Sequence, residues 1–273
     1  MKWKIPLYKI FTDRDDNKAV NKVLQRGMDW AIGHEIAEFE KKIANYIGTK
    51  YCVAFNSGTS AGHAALLAIN INSGEVIVPS FTFISTANWP LMVNAKPKFV
   101  DIEEENFGLN PERVKLEITK NTKAIIPIHY GGRPCKIIEI NRIARNKKIT
   151  LIEDCAESLG AKIKGVSVGT FGQMSIFSFA PNKILTTGEG GAICTDSRKI
   201  FEKLQLIRSH GRKVNENYFK TSQLPDYISI GYNWRMSSMT AALGLSQFDK
   251  LDRIIQLRRR HARFYVSKFK KIK

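Results

Sequence analysis

Ile149-Thr-Leu-Ile-Glu-Asp154-Cys-Ala-Glu157-Ser158 is an apolar run that ends on carboxylates. Residues 149–153 read as a short buried strand, and the acidic residues fall at its C-terminal end. Residues 137–146 just upstream carry helical spacing, and 124–128 before them read as another strand. The alternation extends outward from there. On the N-terminal side come a strand at 51–55, a helix at 59–69, a strand at 75–79, a helix at 84–93 and a strand at 98–101. Asn110 then caps a helix with Pro111 at its first position. On the C-terminal side 176–179 and 192–195 read as short strands and 198–208 as a helix. Strands alternating with helices predict an α/β fold, with a mostly parallel sheet flanked by helices on both faces.

Two helices, 14–26 and 34–47, precede this core. The second has Ile36, Phe39, Ile43 and Ile47 at helical spacing and stops at Gly48. After the core, 211–234 is polar and loop-like, with Pro225 and Gly231, and 237 to about 271 reads as one long helix. The expected division is a large domain over 1–236 and, over 237–273, a helix leading into an incomplete C-terminal small domain. That helix carries Ile254, Ile255, Leu257, Phe264 and Phe269 with nothing after it to pack against, so the expectation is a fragment or a shortened form.

Bulk composition narrows the function classes. The 273 residues are 43% hydrophobic and 25% charged, ordinary globular values. No apolar run approaches the ~20 residues needed to span a membrane. The basic start, Met1-Lys-Trp-Lys-Ile-Pro-Leu-Tyr-Lys9, has no apolar core of a signal peptide. Cys52, Cys135, Cys155 and Cys194 are scattered, with no C-x-x-C pair. They read as reduced thiols of a cytoplasmic protein, with no metal site. The formal net charge is +18, and residues 248–273 hold ten Lys/Arg against two Asp. No nucleic-acid module accompanies that run, so it reads as a solvated or partner-facing helix surface that would also steer anionic substrates.

Four segments carry candidate chemistry. Asn56-Ser-Gly-Thr-Ser-Ala61 runs from a strand into a helix, where free amides and the helix dipole suit a phosphate; such a sequence also serves many helices purely as a cap. Phe83, in Pro79-Ser-Phe-Thr-Phe83, follows a strand and could stack on a planar ring or belong to the core. Asp154 can keep a pyridine nitrogen protonated, making the ring an electron sink; the other reading is an exposed loop carboxylate. Lys183, in Ser178-Phe-Ala-Pro-Asn-Lys183, sits between a strand and the Gly-rich Thr187-Gly-Glu-Gly-Gly191. A lysine held there can form a Schiff base with an aldehyde cofactor, although most single lysines are surface residues. Their order along the chain makes independent coincidence a poor explanation.

These segments are joined by Val78-Pro-Ser-Phe-Thr-Phe83, Phe99-Val-Asp-Ile102, His129-Tyr-Gly-Gly132, Ser209-His-Gly211 and Gly231-Tyr-Asn-Trp-Arg235. Together they resemble the DegT/DnrJ/EryC1/StrS sugar aminotransferases, a branch of the fold-type-I pyridoxal-phosphate enzymes. The resemblance covers nearly the whole chain, and family members continue beyond it. It implies pyridoxal 5'-phosphate as cofactor and Lys183 as the Schiff-base lysine. It implies Asp154 at the pyridine nitrogen, Phe83 on the ring, and Gly58, Thr59, Ser60 and Ser178 around the phosphate. Glu157 would lie near the ring hydroxyl, where a carboxylate must be protonated or turned away. Asn233 and Arg235 would reach the site of a partner subunit, implying a homodimer with shared active sites. The implied substrates are a nucleotide-linked keto-sugar and an amino-acid donor, glutamate by analogy. Two other readings stand beside aminotransfer. One is keto-sugar dehydration, for which relatives carry histidine in place of the lysine. The other is a binding or regulatory protein that keeps the fold without turnover.

Overall fold

The computed structural model describes residues 4–213, 226–270 and 272. Two helices lead the chain, α1 (Arg14–Arg26) and α2 (His34–Ile47). Asp13 and Asp16 close α1 with a capping box, and Gly48 ends α2 at φ 94°, a left-handed turn that favours glycine. The core then runs β1 (Tyr51–Phe55), α3 (Gly58–Ala68), β2 (Glu75–Pro79), α4 (Ile84–Met92), β3 (Lys96–Val100), α5 (Pro111–Glu117) and β4 (Thr122–Ile125). It continues with α6 (Ile137–Asn146), β5 (Thr150–Asp154), the small hairpin β6 (Lys162–Ile163) and β7 (Val166–Ser167), β8 (Met174–Ser178), β9 (Gly191–Thr195) and α7 (Arg198–Arg208). Two helices, α8 (Ser238–Asp249) and α9 (Leu251–Phe269), close it.

Seven strands form one sheet in the order β1-β9-β8-β5-β4-β2-β3. Strands β3, β2, β4, β5 and β8 run parallel, and β9 is antiparallel to both β8 and β1. The sheet is mostly parallel, as expected, with one reversed strand. Two reversals restore direction, so β1 points the same way as β8. The C-terminal ends of β1, β2, β5 and β8 therefore open on one edge, where ligands of open α/β sheets bind. Those ends deliver the Ser57, Phe83, Asp154 and Lys183 segments.

Apolar clusters fill both faces. One lies under α3, α4 and α7, around Phe55, Leu66, Trp89 and Ile193, and another under α2 and α8, around Phe39, Phe177 and Phe179. Small residues in α3 allow close packing. A Cβ on Gly62 would come within 2.0–2.4 Å of the Trp89 indole.

The expected single helix over 237–271 is two helices. Lys250 breaks them with φ −103° and ψ 0°, and its Nζ lies 2.8 Å from Asp13 and 2.6 Å from Asp16. The break places that amine against the N-terminus of α1, a demand that helical periodicity cannot register. Shorter shifts occur at strand ends: 98–101 becomes Lys96–Val100 and 124–128 becomes Thr122–Ile125. Of the polar stretch 211–234, residues 214–225, Pro225 included, lie outside the described residues.

Candidate active site

The edge loops enclose a cavity of about 330 Å³. Of the residues singled out in the sequence, Gly58, Thr59, Phe83, Asp154, Glu157, Ser178 and Lys183 line it. Four separate connections thus converge on one space.

One end is the start of α3. Ser57 caps the helix by accepting the Ser60 amide at 3.0 Å, and its carbonyl accepts the Ala61 amide at 3.1 Å. The amides of Gly58 and Thr59 have no hydrogen-bond partner among the described residues, as the first turn of a helix dictates. Ser178 lies beside them: a Cβ on Gly58 would sit 3.3 Å from the Ser178 Oγ. Two free amides, a hydroxyl and a helix N-terminus make an anion-binding corner. Ser60 is not part of it. It does not line the cavity, and its hydroxyl donates to Asn56 Oδ1 at 2.6 Å.

Asp154 is buried, at 2% exposure. Thr86 Oγ1 donates to its Oδ2 at 2.8 Å and the Ala156 amide to its Oδ1 at 3.1 Å. Burial pushes the Asp154 carboxyl above the usual carboxylate range, and the Thr86 hydroxyl opposes the shift. No cation among the described residues lies within ion-pair distance of it. A buried, oriented carboxylate at a cavity wall is poised to receive a cationic or proton-bearing nitrogen from a ligand. Thr86 was not among the residues singled out. It lies one helical turn beyond Phe83, in the first turn of α4, and in sequence it is one of many threonines.

Beneath Asp154 is a second acidic residue with a different role. Glu153 is fully buried and accepts the amides of Gly169, Phe171 and Gly172 at 2.7–2.8 Å. His129 Nε2 lies 3.0 Å from the same carboxylate, while its Nδ1 accepts the Cys135 amide at 3.2 Å, which places the proton of a neutral ring on Nε2. With Cys155 these side chains bring three possible ligand atoms within 4.8 Å of one another, but both nitrogens of His129 and both oxygens of Glu153 already have protein partners. Burial pushes the Cys155 thiol up to about 12, which suits an inert thiol. The four cysteines are free and buried.

Lys183 Nζ donates to Glu157 Oε1 at 3.2 Å, and Glu157 Oε2 accepts the Gly131 amide at 2.9 Å. Glu157 thus faces the lysine rather than standing alone. Phe83 lines the cavity and is 68% exposed. Asn233 and Arg235 are not brought to this cavity. Asn233 pairs through its backbone with Ser209, and Arg235 Nη1 donates to Ser209 Oγ at 3.2 Å.

Gly191 is a further site residue that the Gly-rich motif contained without revealing its task. A Cβ there would lie 2.4 Å from the Ser57 carbonyl oxygen and 2.6 Å from the Gly58 nitrogen. Only glycine lets β9 pass so close behind the anion-binding turn.

A family model for the DegT/DnrJ/EryC1/StrS aminotransferase family matches residues 11–273. The GDP-perosamine synthase of Caulobacter vibrioides is 39% identical over 243 residues, covering 89% of this chain and 64% of that enzyme. The chain thus spans less than two thirds of the length of that relative. Among solved structures, the Helicobacter pylori aminotransferase PseC, involved in the biosynthesis of pseudoaminic acid, superposes with a TM-score of 0.89 at 29% identity, covering 96% of this chain and 70% of that one. The E. coli GDP-4-keto-6-deoxy-D-mannose-3-dehydratase with bound hydrated PLP gives a TM-score of 0.90 at 32% identity, with 98% and 73% covered.

Proposed function

The chain belongs to the DegT/DnrJ/EryC1/StrS aminotransferase family, and from that premise we propose that it binds pyridoxal 5'-phosphate at Lys183 and moves an amino group from an amino acid to a keto group of a nucleotide-linked sugar. The observation that carries this reading is the meeting of Lys183 and the buried Asp154, which makes no ion pair among the described residues, in one cavity whose far corner is the start of α3 with its free amides. Those groups fit the cofactor's aldehyde, ring nitrogen and phosphate. The GDP- and UDP-sugar enzymes among its relatives support a nucleotide-linked substrate.

When bound, the cofactor supplies a conjugated ring that accepts electron density from a substrate carbon. The protein's own residues do the rest. Gly58, Thr59 and Ser178 would hold the phosphate, and Phe83 would cover the ring face. Asp154, oriented by Thr86 and Ala156, would hold the ring nitrogen in its protonated form. Lys183 supplies the amine to which the cofactor attaches, and that amine, once released, moves a proton at its Nζ as base and then as acid. Glu157, anchored on Gly131, gives the free amine a charged resting partner.

The amino donor in this reading is glutamate. The assembly is a homodimer in which Asn233 and Arg235 contribute to the partner subunit's site. Exposed apolar side chains beside the cavity, Phe81, Phe83 and Ile84, support a partner on that face. Lysine at position 183 favours aminotransfer over dehydration. The test is incubation with glutamate and a GDP- or UDP-linked keto-sugar, together with borohydride trapping and peptide mapping. Nitrogen transfer and a modified Lys183 peptide are expected. A Lys183→Ala protein that completed both half-reactions at the normal rate would overturn the assignment.

A further inference from the structure

Arg258 reaches across from α9 to the segment that carries Lys183. Its Nη2 donates to the Asn182 carbonyl at 3.0 Å and to the Lys183 carbonyl at 3.1 Å. These carbonyls belong to a loop that leaves the sheet at Phe179 and returns to it, since the Thr187 amide donates to the Phe179 carbonyl at 3.0 Å. The lysine itself is tied within the loop by its amide on the Ala180 carbonyl, also at 3.0 Å. The outer side of its peptide is held by the guanidinium. Among the described residues Arg258 has no carboxylate partner, and both carbonyls are met by the same nitrogen, Nη2.

The buried first turns of α9 set where Arg258 projects from the helix. Leu251, Ile254 and Ile255 are buried, and Arg258 follows them at the i+3 and i+4 spacing that keeps it on the same helix face. Ile255 packs so close to Gly160 that a Cβ on that glycine would lie 2.6 Å from the Ile255 Cδ1. Gly160 ends the loop that carries Glu157. One helix face therefore braces two loops, the one presenting Glu157 and the one presenting Lys183, and the two side chains meet at 3.2 Å between them. From Arg258 itself to its end α9 is exposed, so the guanidinium lies over the outer side of the lysine loop. Glu157, Asn182, Lys183, Ile255, Arg258 and Arg259 also line a second cavity of about 390 Å³, so this brace borders open space beside the lysine.

We infer that Arg258 is a positioning residue: by capping the Asn182 and Lys183 carbonyls it fixes the lysine's backbone and makes the placement of its amine depend on the seating of α9. A guanidinium suits the task because one planar nitrogen offers two N–H groups to two neighbouring carbonyls. A shift of about 1 Å at the lysine backbone carries to the amine, a misplacement that can cost about a hundredfold in rate. The relevance to turnover rests on the aminotransfer reading, but the placement of the amine does not.

The test therefore uses the full chain without added cofactor. The rate at which limiting acetic anhydride modifies each lysine is followed by peptide mass spectrometry across a pH series. Arg258→Ala should raise the Lys183 rate roughly fivefold, for the loss of about 1 kcal/mol of restraint. Arg258→Lys should restore part of the protection. Arg260→Ala removes a positive charge from the same helix without touching the clamp or the cavity lining and should leave Lys183 as it was. Lys250, whose side chain is 12% exposed, is the internal reference for the rest of the fold. An unchanged Lys183 profile in Arg258→Ala overturns the inference. So does an equal change in Arg260→Ala, or a rise at Lys250 in step with Lys183. Should Arg258→Ala fail to fold, Arg258→Gln takes its place, and the same outcomes support or overturn the inference.

Discussion

Gly191→Ala is expected to damage the fold and the anion-binding corner together. The backbone at Gly191 does not lie in the left-handed region, so alanine meets no conformational strain there. The obstacle is contact. The new Cβ would sit 2.4 Å from the Ser57 oxygen, 2.5 Å from the Ser57 carbonyl carbon and 2.6 Å from the Gly58 nitrogen, where ordinary contact begins at 3.4 Å. Relief needs a shift of about 1 Å. Strand β9 cannot give it cheaply, because Gly191 is in register with Phe55 on one side and Ser178 on the other. The turn at Ser57–Gly58 must move instead. Overpacking of this kind costs about 1–3 kcal/mol, and backbone atoms that cannot rotate away argue for the upper end. At roughly 2–4 °C per kcal/mol for a chain of this size, the melting point should fall by about 5–10 °C. The same displacement takes the Gly58 and Thr59 amides off target. Loss of one hydrogen bond to a charged group, about 1.5–3 kcal/mol, weakens phosphate binding by roughly ten- to a hundredfold. Absorbance titration with pyridoxal phosphate and with pyridoxal separates the effects, because only the first carries the phosphate that the corner is proposed to hold. Gly165→Ala is the control: φ is +85° with nothing within 4 Å, so it should cost only backbone strain and leave the ratio of the two affinities intact. A Gly191→Ala protein with wild-type melting and an unchanged affinity ratio would refute the reasoning.

Two further outcomes follow from the buried carboxylates. Burial raises Asp154 in the folded state, so the native protein holds that proton more tightly than the unfolded chain does, and stability falls as pH rises from the unfolded pKa through the folded one. Asp154→Asn should therefore melt higher than wild type at neutral pH without cofactor, with the gap closing in acid; calorimetry showing a gap independent of pH would contradict this. Glu153→Gln replaces one of two oxygens that each receive two donors, so its N–H₂ opposes either the Phe171 and Gly172 amides or the Gly169 amide and His129, and it should cost about 3 kcal/mol, or roughly 6–12 °C in melting point. Urea denaturation tests that value, and a loss below about 1 kcal/mol would mean the network is replaceable.

Much of this protein was legible in its residues because the signals are local. Helical spacing from Ile36 to Ile47 with Gly48 behind it, the alternation of short apolar strands with helices, and the order of the Ser57, Phe83, Asp154 and Lys183 segments all lie within windows a few residues wide. They sufficed for the α/β class and for bringing Gly58, Thr59, Phe83, Asp154, Glu157, Ser178 and Lys183 to notice among the residues that line the cavity. The two-residue strands of the 162–167 hairpin were not legible, being too short to show a period. The helix break at Lys250 depends on Asp13 and Asp16, more than two hundred residues away. Strand β9 has the composition of its parallel neighbours, and its reversed direction comes from its hydrogen-bonded partners. Thr86, Gly191 and Arg258 acquire their tasks only from what they touch, an aspartate, a turn and a pair of carbonyls brought near by the fold. Sequence specified which elements form and which residues carry chemical groups, since propensity and capping act over one or two turns. Tertiary structure decided which of those groups meet, since their meeting depends on packing between segments that only the finished sheet brings together.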